Sequence, residues 1–139
     1  MLIRLVLLSG NGIAFEKECE RFVVPSFKGD MEVSPGYTPI IEGLDKVGIV
    51  RVYTPEKPYY FVIFDGVLSV EKSGAFIVAS SIEEASNIDL ARANAAKERA
   101  EKRIASKQEN IDMVRAQTAL NRALVRIRAK KLFLGEKPY

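Results

Sequence analysis

The first 81 residues alternate short apolar runs with turn signals. Residues 1–8 are apolar except for Arg4, and the run closes at Gly10-Asn11-Gly12, a sequence that tolerates positive φ in a tight turn. Residues 47–53 alternate as in a half-buried strand, whereas residues 59–64 are continuously apolar, as in a buried one. Many short strands with closely spaced turns predict a compact antiparallel sandwich or barrel.

Residues 87–134 have a different pattern, in which one short phrase occurs twice. Asn-Ile-Asp-Leu-Ala-Arg-Ala at residues 87–93 is followed 23 residues later by Asn-Ile-Asp-Met-Val-Arg-Ala at residues 110–116. Asn can cap a helix, and Asp in the first turn favours the positive end of the helix dipole. Strong helix formers follow each copy, so the pattern predicts two helices with matching starts at Asn87 and Asn110.

Each predicted helix carries one apolar stripe and one arginine stripe. The apolar stripes consist of Ala93, Ala96, Ala100 and Ile104, and of Met113, Ala116, Leu120, Ala123 and Ile127. The arginine stripes consist of Arg92, Arg99 and Arg103, and of Arg115, Arg122 and Arg126. An antiparallel hairpin would bring the apolar stripes together, with arginines from both helices beside the seam.

The predicted seam is thin because it is mostly alanine, which buries little apolar area. The connection at residues 106–109 contains neither Gly nor Pro, so nothing there firmly ends a helix. A hairpin and an extended form would then differ by only a few kcal/mol, which a ligand can supply. The sequence therefore predicts a conformational switch.

Composition excludes several classes of chemistry. The chain has no histidine and one cysteine, Cys19, which rules out intramolecular disulfides, the usual zinc sites and Ser–His or Cys–His nucleophile pairs. No phosphate loop or complete dinucleotide fingerprint occurs, and the carboxylates are scattered. We expect no catalytic residue and no metal site. No stretch is long enough to span a membrane, and residues 1–8 fit a strand better than a signal peptide.

The net charge of +3 is uneven, with −2 on residues 1–81 and +5 on residues 82–139. One interpretation of the arginine stripes is a solvated face balanced by Glu98, Glu101 and Glu109. This is weaker for the second helix, since no acidic residue occurs between Asp112 and Glu136. An alternative function is a free-standing adaptor whose basic helices bind nucleic acid or another polyanion, although they lack interleaved aromatic residues.

The whole chain resembles the epsilon subunit of bacterial F-type ATP synthase. The most specific parts are Ile-Asp-Leu-Ala-Arg-Ala at residues 88–93, the basic stretch at residues 95–103, and the second copy through Ala123. Pro-Gly-Tyr-Thr-Pro-Ile at residues 35–40 stands where the family usually has Pro-Gly-His-x-Pro-Leu. Three residues depart from the family on the face turned toward the shaft and the membrane ring. Glu32 and Asp65 replace glycines, and Tyr37 replaces the histidine.

The resemblance implies a β-sandwich over residues 1–81 and a regulatory helical hairpin over residues 82–139. It implies a non-catalytic subunit of the rotating central stalk, which couples proton translocation to ATP synthesis at the cytoplasmic face of the bacterial inner membrane. The sandwich would dock on the gamma subunit and the c-ring. The extended helices would meet an acidic segment of the beta subunits and inhibit ATP hydrolysis. No nucleic-acid partner is expected, and membrane contact would come only through the complex.

In some family members the I-D-x-x-R-A motif helps to bind ATP, so the resemblance also implies ATP as a regulatory ligand. The motif supplies Ile88, Asp89, Arg92 and Ala93, and Glu83 lies just before it. The arginine stripes add Arg99, Arg122 and Arg126, which would converge on a triphosphate only in the hairpin. Glu83 and Asp89 would repel phosphate, so we expect them to contact the adenine or ribose, or to orient Arg92.

Overall fold

The computed structural model describes residues 1–106 and 112–138. The strands are β1 Ile3–Ser9, β2 Gly12–Cys19, β3 Arg21–Ser26, β4 Gly29–Val33, β5 Ile40–Gly43, β6 Val47–Tyr53, β7 Pro58–Phe64, β8 Val67–Glu71, β9 Gly74–Val78 and β10 Ser81–Glu84. A 3-10 turn, Ala85–Asn87, precedes two helices, α1 Leu90–Ser106 and α2 Met113–Phe133.

The strands form two five-stranded sheets with the orders β2-β1-β9-β8-β5 and β10-β7-β6-β3-β4. Neighbouring strands are antiparallel except β1 and β9, which are parallel with Leu5 opposite Ala75. The largest side chains of the core between the sheets include Phe22, Phe61, Leu5, Leu7, Ile63, Leu68 and Ile77. The predicted fold class, a β-sandwich followed by an antiparallel helical hairpin, is confirmed.

Burial along the strands follows the hydrophobic pattern. In β6 every second residue is buried, and Val50 and Val52 are fully so, as the alternation predicts. β7 is buried from Phe61 to Phe64 on both faces, in line with its continuous apolar run. Phe15 of the first sheet lies edge-on to Phe61 of the second, with ring centroids 5.1 Å apart. Aromatic packing therefore links the two sheets.

Pro25 lies inside β3, opposite Asp30 of β4, and the strand continues to Ser26. The ring packs against Gly48 of β6. A Cβ at Gly48 would lie 2.4 Å from Pro25 Cγ and 2.7 Å from its Cβ. Gly48 is thus needed because the proline ring occupies the space of its missing side chain.

The two helices pack along a seam of small residues. Ala93 and Ala100 of α1 are buried, as are Ala116 and Ala123 of α2, each pair seven residues apart. Other members of the predicted stripes are less covered: Ala96, Ile104 and Leu120 are half-buried, and Met113 is 42% exposed. Met113 is the first residue of α2, where the packed face is only beginning.

The chain forms two compact units, Met1–Glu84 and a second that begins at Ala85. β10 belongs to the first unit because it pairs with β7, with Glu84 opposite Phe61. The functional division at residue 81 stays a prediction. In the parts of the chain that are described, neither helix is long and apolar enough to cross a membrane.

Candidate functional site

Asp89 caps the N-terminus of α1. Its carboxylate Oδ1 accepts a hydrogen bond of 3.2 Å from the backbone N–H of Arg92, and its own carbonyl accepts one of 3.1 Å from Ala93 N–H. This is the pattern of an N-cap residue, whose side chain pairs one of the free N–H groups of the first turn. The predicted start at Asn87 was wrong, since Asn87 lies in the 3-10 turn and α1 begins at Leu90.

Asp112 performs the same task for α2. It has extended backbone angles of φ −77° and ψ 103°, and its Oδ1 accepts a 3.1 Å hydrogen bond from Arg115 N–H. Its carbonyl accepts a 3.0 Å bond from Ala116 N–H. The other predicted cap, Asn110, lies outside the described residues. The repeated phrase is therefore a helix-starting device used twice.

Ile88 and Ala93 complete this device in the first copy. Counted from the cap, Ile88 is the residue before it and Ala93 is the fourth helical residue, the two positions that form a hydrophobic staple. Both are buried, and Ile88 N–H also donates to Ala85 carbonyl at 3.1 Å. Three of the motif's four predicted site residues thus have a structural task.

Arg92 is the exception. It is the third helical residue, where a capping box carries Glu or Gln, and a cation near the positive end of the helix dipole is unfavourable. Its side chain is exposed, and only its backbone N–H serves the cap. The helix start gains nothing from this guanidinium, so Arg92 is the motif residue with chemistry left to explain.

The positions of the arginines along the hairpin can be compared by their distance from the helix ends nearest the connection. At 1.5 Å per residue, Arg92 lies about 21 Å from the Ser106 end of α1, and Arg126 lies about 20 Å from the Met113 end of α2. Arg99 and Arg122 lie about 10 and 14 Å from the same ends. Arg92 and Arg99 are exposed in one row of α1, and Arg122 and Arg126 make contacts of their own within the fold. Whether the four converge on a ligand stays a prediction.

Glu83 belongs to the other unit. It lies in β10 opposite Val62 of β7, is half-buried and already has an interaction in the fold. Among residues 1–106 and 112–138, no cluster of three or more His, Cys, Asp or Glu side chains could hold a metal ion.

A second candidate surface crosses the outer face of the sheet β2-β1-β9-β8-β5. Five residues are paired directly, each with the next, across the five neighbouring strands: Ile13, Leu8, Val78, Val67 and Gly43. Ile13, Val78 and Val67 are 60%, 56% and 45% exposed. Phe27, 70% exposed, lies over Gly43, with its Cε2 2.9 Å from where a Cβ would stand. We call these five residues and Phe27 the apolar row.

Sequence reasoning missed the apolar row because its members come from five separate strands and one turn. The available signal was local: Ala75 to Val78 are apolar at every position, so both faces of β9 carry apolar side chains. Only the strand register shows that the outward residues are neighbours.

The three residues that depart from the family pattern lie in turns or at an edge. Glu32 of edge strand β4 makes a 3.3 Å ion pair with Arg21, and Tyr37 N–H donates to Ser34 carbonyl at 3.1 Å in a turn. Asp65 has a φ of +50° and accepts a 3.3 Å hydrogen bond from the Ser80 hydroxyl. Aspartate is among the few side chains that tolerate this region, so it can replace a glycine in the turn.

Each of the two units matches a known family model. The family model described as the ATP synthase delta/epsilon chain beta-sandwich domain matches residues 2–85, and that of the long alpha-helix domain matches residues 86–131. The chain belongs to the ATP synthase delta/epsilon family. The resemblance to the epsilon subunit of F-type ATP synthase is therefore confirmed, and this epsilon-type chain is a non-catalytic subunit of the complex.

Two curated relatives agree with this family. The epsilon-type chain is 35% identical over 102 residues to the ATP synthase epsilon chain of Bacillus thuringiensis (strain Al Hakam), covering 73% of this chain and 76% of the relative. The same values hold for the ATP synthase epsilon chain of Bacillus cereus (strain B4264).

Solved structures share the fold of this epsilon-type chain. A chain in the Euglena gracilis mitochondrial ATP synthase (OSCP, F1 and c-ring) superposes with a TM-score of 0.69 at 18% identity, covering 96% of this chain and 80% of that one. A chain in the central stalk and c-ring of Tetrahymena thermophila mitochondrial ATP synthase has a TM-score of 0.55 at 9% identity, covering 94% of both.

Proposed function

We propose that this central-stalk subunit restrains ATP hydrolysis with its helical hairpin and senses ATP there. The observation that carries the proposal is Arg92. Ile88, Asp89 and Ala93 are accounted for as a helix start, whereas Arg92 places a cation where the helix dipole disfavours one. Arg115 has the same position in α2, but that helix starts at the connection, far along the hairpin from Arg126. A bound anion would reverse that penalty, since a triphosphate supplies several negative charges beside the guanidinium.

The other arginines extend the same site. Arg92 and Arg126 lie at matching distances from the connection, and we expect each helix to give one donor fork to the triphosphate. Arg99 lies roughly 10 Å, and Arg122 roughly 6 Å, further toward the connection, where they would meet the far end of a nucleotide. ATP held in this way binds only the closed hairpin and therefore stabilises it.

The test is calorimetric titration of the full chain with ATP. We expect measurable binding, and Arg92→Gln should weaken it about tenfold or more, the usual effect of losing a charge-assisted hydrogen bond. Arg115→Gln is the matched control because Arg115 has the same place after the Asp112 cap but is not part of the predicted site. No wild-type binding at millimolar ATP would leave the motif with a structural role alone.

Inhibition is assigned to the basic run of α2. The run consists of Arg115, Arg122, Arg126, Arg128, Lys130 and Lys131, with no acidic residue between Asp112 and Glu136. Such a surface complements an acidic segment of the beta subunits, and charge complementarity would set both encounter and register. In the assembled complex, deletion of residues 87–139 should raise ATP hydrolysis and spare proton coupling. Unchanged hydrolysis across ATP concentrations would refute an inhibitory role.

The apolar row supports docking of the sandwich on the gamma subunit and the c-ring. An exposed contiguous apolar strip is typical of a protein-binding surface. Val78→Asp should prevent incorporation into the complex, since it would bury a charge in that interface. Ser73→Asp, an exposed change in the turn between β8 and β9, is the control and should assemble normally. Equal assembly of both variants would exclude the apolar row as the docking face.

We propose that the subunit acts at the cytoplasmic face of the bacterial inner membrane and is held there by its partners. The proposed rotary subunit differs from the alternative function, a polyanion-binding adaptor, in what the chain is expected to bind. The full chain would have to bind nucleic acid with a steep salt dependence for the alternative to hold. Co-purification with membrane-extracted ATP synthase is the expected outcome.

A further inference from the structure

Lys130 bridges the two ends of the second unit. Its ammonium Nζ donates a 2.9 Å hydrogen bond to the backbone carbonyl of Ser86, which is 44 residues earlier in the chain. Lys130 lies in the last turn of α2, and Ser86 lies in the 3-10 turn that precedes α1. The bond therefore joins the two segments at the open end of the hairpin, opposite the connection between the helices.

The surroundings of this bond are well packed. Ala85 and Ala129, the residues beside the two partners, are fully buried, and α2 packs against the 3-10 turn. The ammonium also lies 5.0 Å from the centroid of the Phe133 ring, within range of a cation–π interaction. The lysine is thus held by a carbonyl and an aromatic face, whereas most surface lysines remain solvated.

We propose that Lys130 is a latch that keeps the hairpin closed. The helices can separate only if α2 leaves the 3-10 turn, and that movement breaks the bond to Ser86. A charge-assisted hydrogen bond in a partly buried place is stronger than an exposed one. Because the alanine seam buries little area, this bond adds to what opposes opening.

The latch also links closure to the basic run, a consequence that rests on the proposed inhibitory function. Lys130 belongs to the run that would meet an acidic partner, yet in the hairpin its ammonium is engaged by Ser86 and Phe133. Closing the hairpin and binding the partner therefore compete for the same group. The latch itself needs no partner, so it can be tested on the isolated chain.

The experiment is amide hydrogen exchange of the full chain, read by NMR. Lys130→Met keeps the length of the side chain and removes the ammonium, and Lys131→Met is the matched control, since Lys131 is the next residue and also half-buried. We expect Lys130→Met to speed exchange of the Ile88 and Ala123 amides about tenfold, the equivalent of one charge-assisted hydrogen bond. Lys131→Met should change these rates less than twofold, and the Val50 amide in the sandwich should exchange equally in all three proteins.

Equal exchange at Ile88 and Ala123 in the two variants would overturn the latch. If Lys130→Met unfolds the helices, seen as loss of helical circular dichroism, Lys130→Gln and Lys131→Gln provide the same comparison with milder changes. Failure of the latch would leave the inhibitory role untouched, because that role is measured separately as hydrolysis by the truncated complex.

Discussion

The two aspartate caps allow the helix-starting role of the motif to be separated from ligand binding. Asp89→Ala removes the acceptor of the Arg92 N–H bond, and Asp112→Ala removes that of Arg115 N–H. Loss of an N-cap costs about 1 kcal/mol, within a range of about 0.5–2 kcal/mol. Each alanine variant should therefore increase local opening of its own helix start about fivefold, given that 1.4 kcal/mol is tenfold.

Asparagine at the same positions distinguishes the cap from the charge. Asn caps as well as Asp, so Asp89→Asn and Asp112→Asn should retain the hydrogen bond and lose only the interaction with the helix dipole, about 0.3–1 kcal/mol. Amide exchange of Arg92 and Arg115 measures the bonds directly. We expect these amides to exchange most slowly in the wild type, faster in the Asn variants and fastest in the Ala variants. The increases should be similar in the two helices.

A different outcome would refute the reasoning at a defined point. If Asn and Ala variants exchange equally fast, the carboxylate acts through its charge and the capping geometry is irrelevant. A further outcome is that the two helices show the same changes in amide exchange while Asp89→Asn alone abolishes ATP binding. In that case Asp89 has a ligand-binding role in addition to its cap. Similar ATP affinity for Asp89→Asn and Asp112→Asn would confine both residues to helix initiation.

Three further predictions concern the sandwich and the seam. Gly48→Ala should destabilise the sandwich by about 1–3 kcal/mol in urea unfolding, because the new Cβ would overlap the Pro25 ring; unaltered stability would contradict the contact. Burial raises the pKa of the Cys19 thiol from 9.0 to about 11, so the folded state disfavours the thiolate. The free energy of unfolding of the wild type should then fall relative to that of Cys19→Ala between pH 9 and 11, by about 1.4 kcal/mol per pKa unit. The same pH dependence of unfolding in both proteins would refute this. Ala123→Leu should open the hairpin by overfilling the seam, seen as faster exchange of the Ala100 amide, whereas unchanged protection would mean that the seam has spare room.

Local patterns were sufficient to predict most of the fold. The alternation in β6 and the apolar run in β7 correspond directly to burial, because side-chain direction in a strand follows a period of two. The alanines at positions 93, 100, 116 and 123 were likewise predictable, since a spacing of seven keeps residues on one helix face.

Features that depend on distant partners were not predictable. Ser81–Glu84 contains two acidic residues, and only its pairing with β7 makes it a strand. Asn87 and Asp89 are equally good caps by residue type, and the 3-10 turn decides between them. For the candidate site, the motif indicated which residues matter, whereas the distinction between helix-starting residues and Arg92 required the hydrogen bonds.

The parallel pairing of β1 with β9 has a consequence for how the chain reaches its native state. Leu5 of β1 pairs with Ala75 of β9, so the first sheet cannot be completed until nearly the whole sandwich has been synthesised. Contacts between residues so far apart in sequence slow folding, because chain entropy is lost before they form. The helical hairpin depends on shorter separations, such as the 44 residues between Ser86 and Lys130, and has less of this delay. The sandwich is therefore expected to form more slowly than the helical hairpin once each has been synthesised.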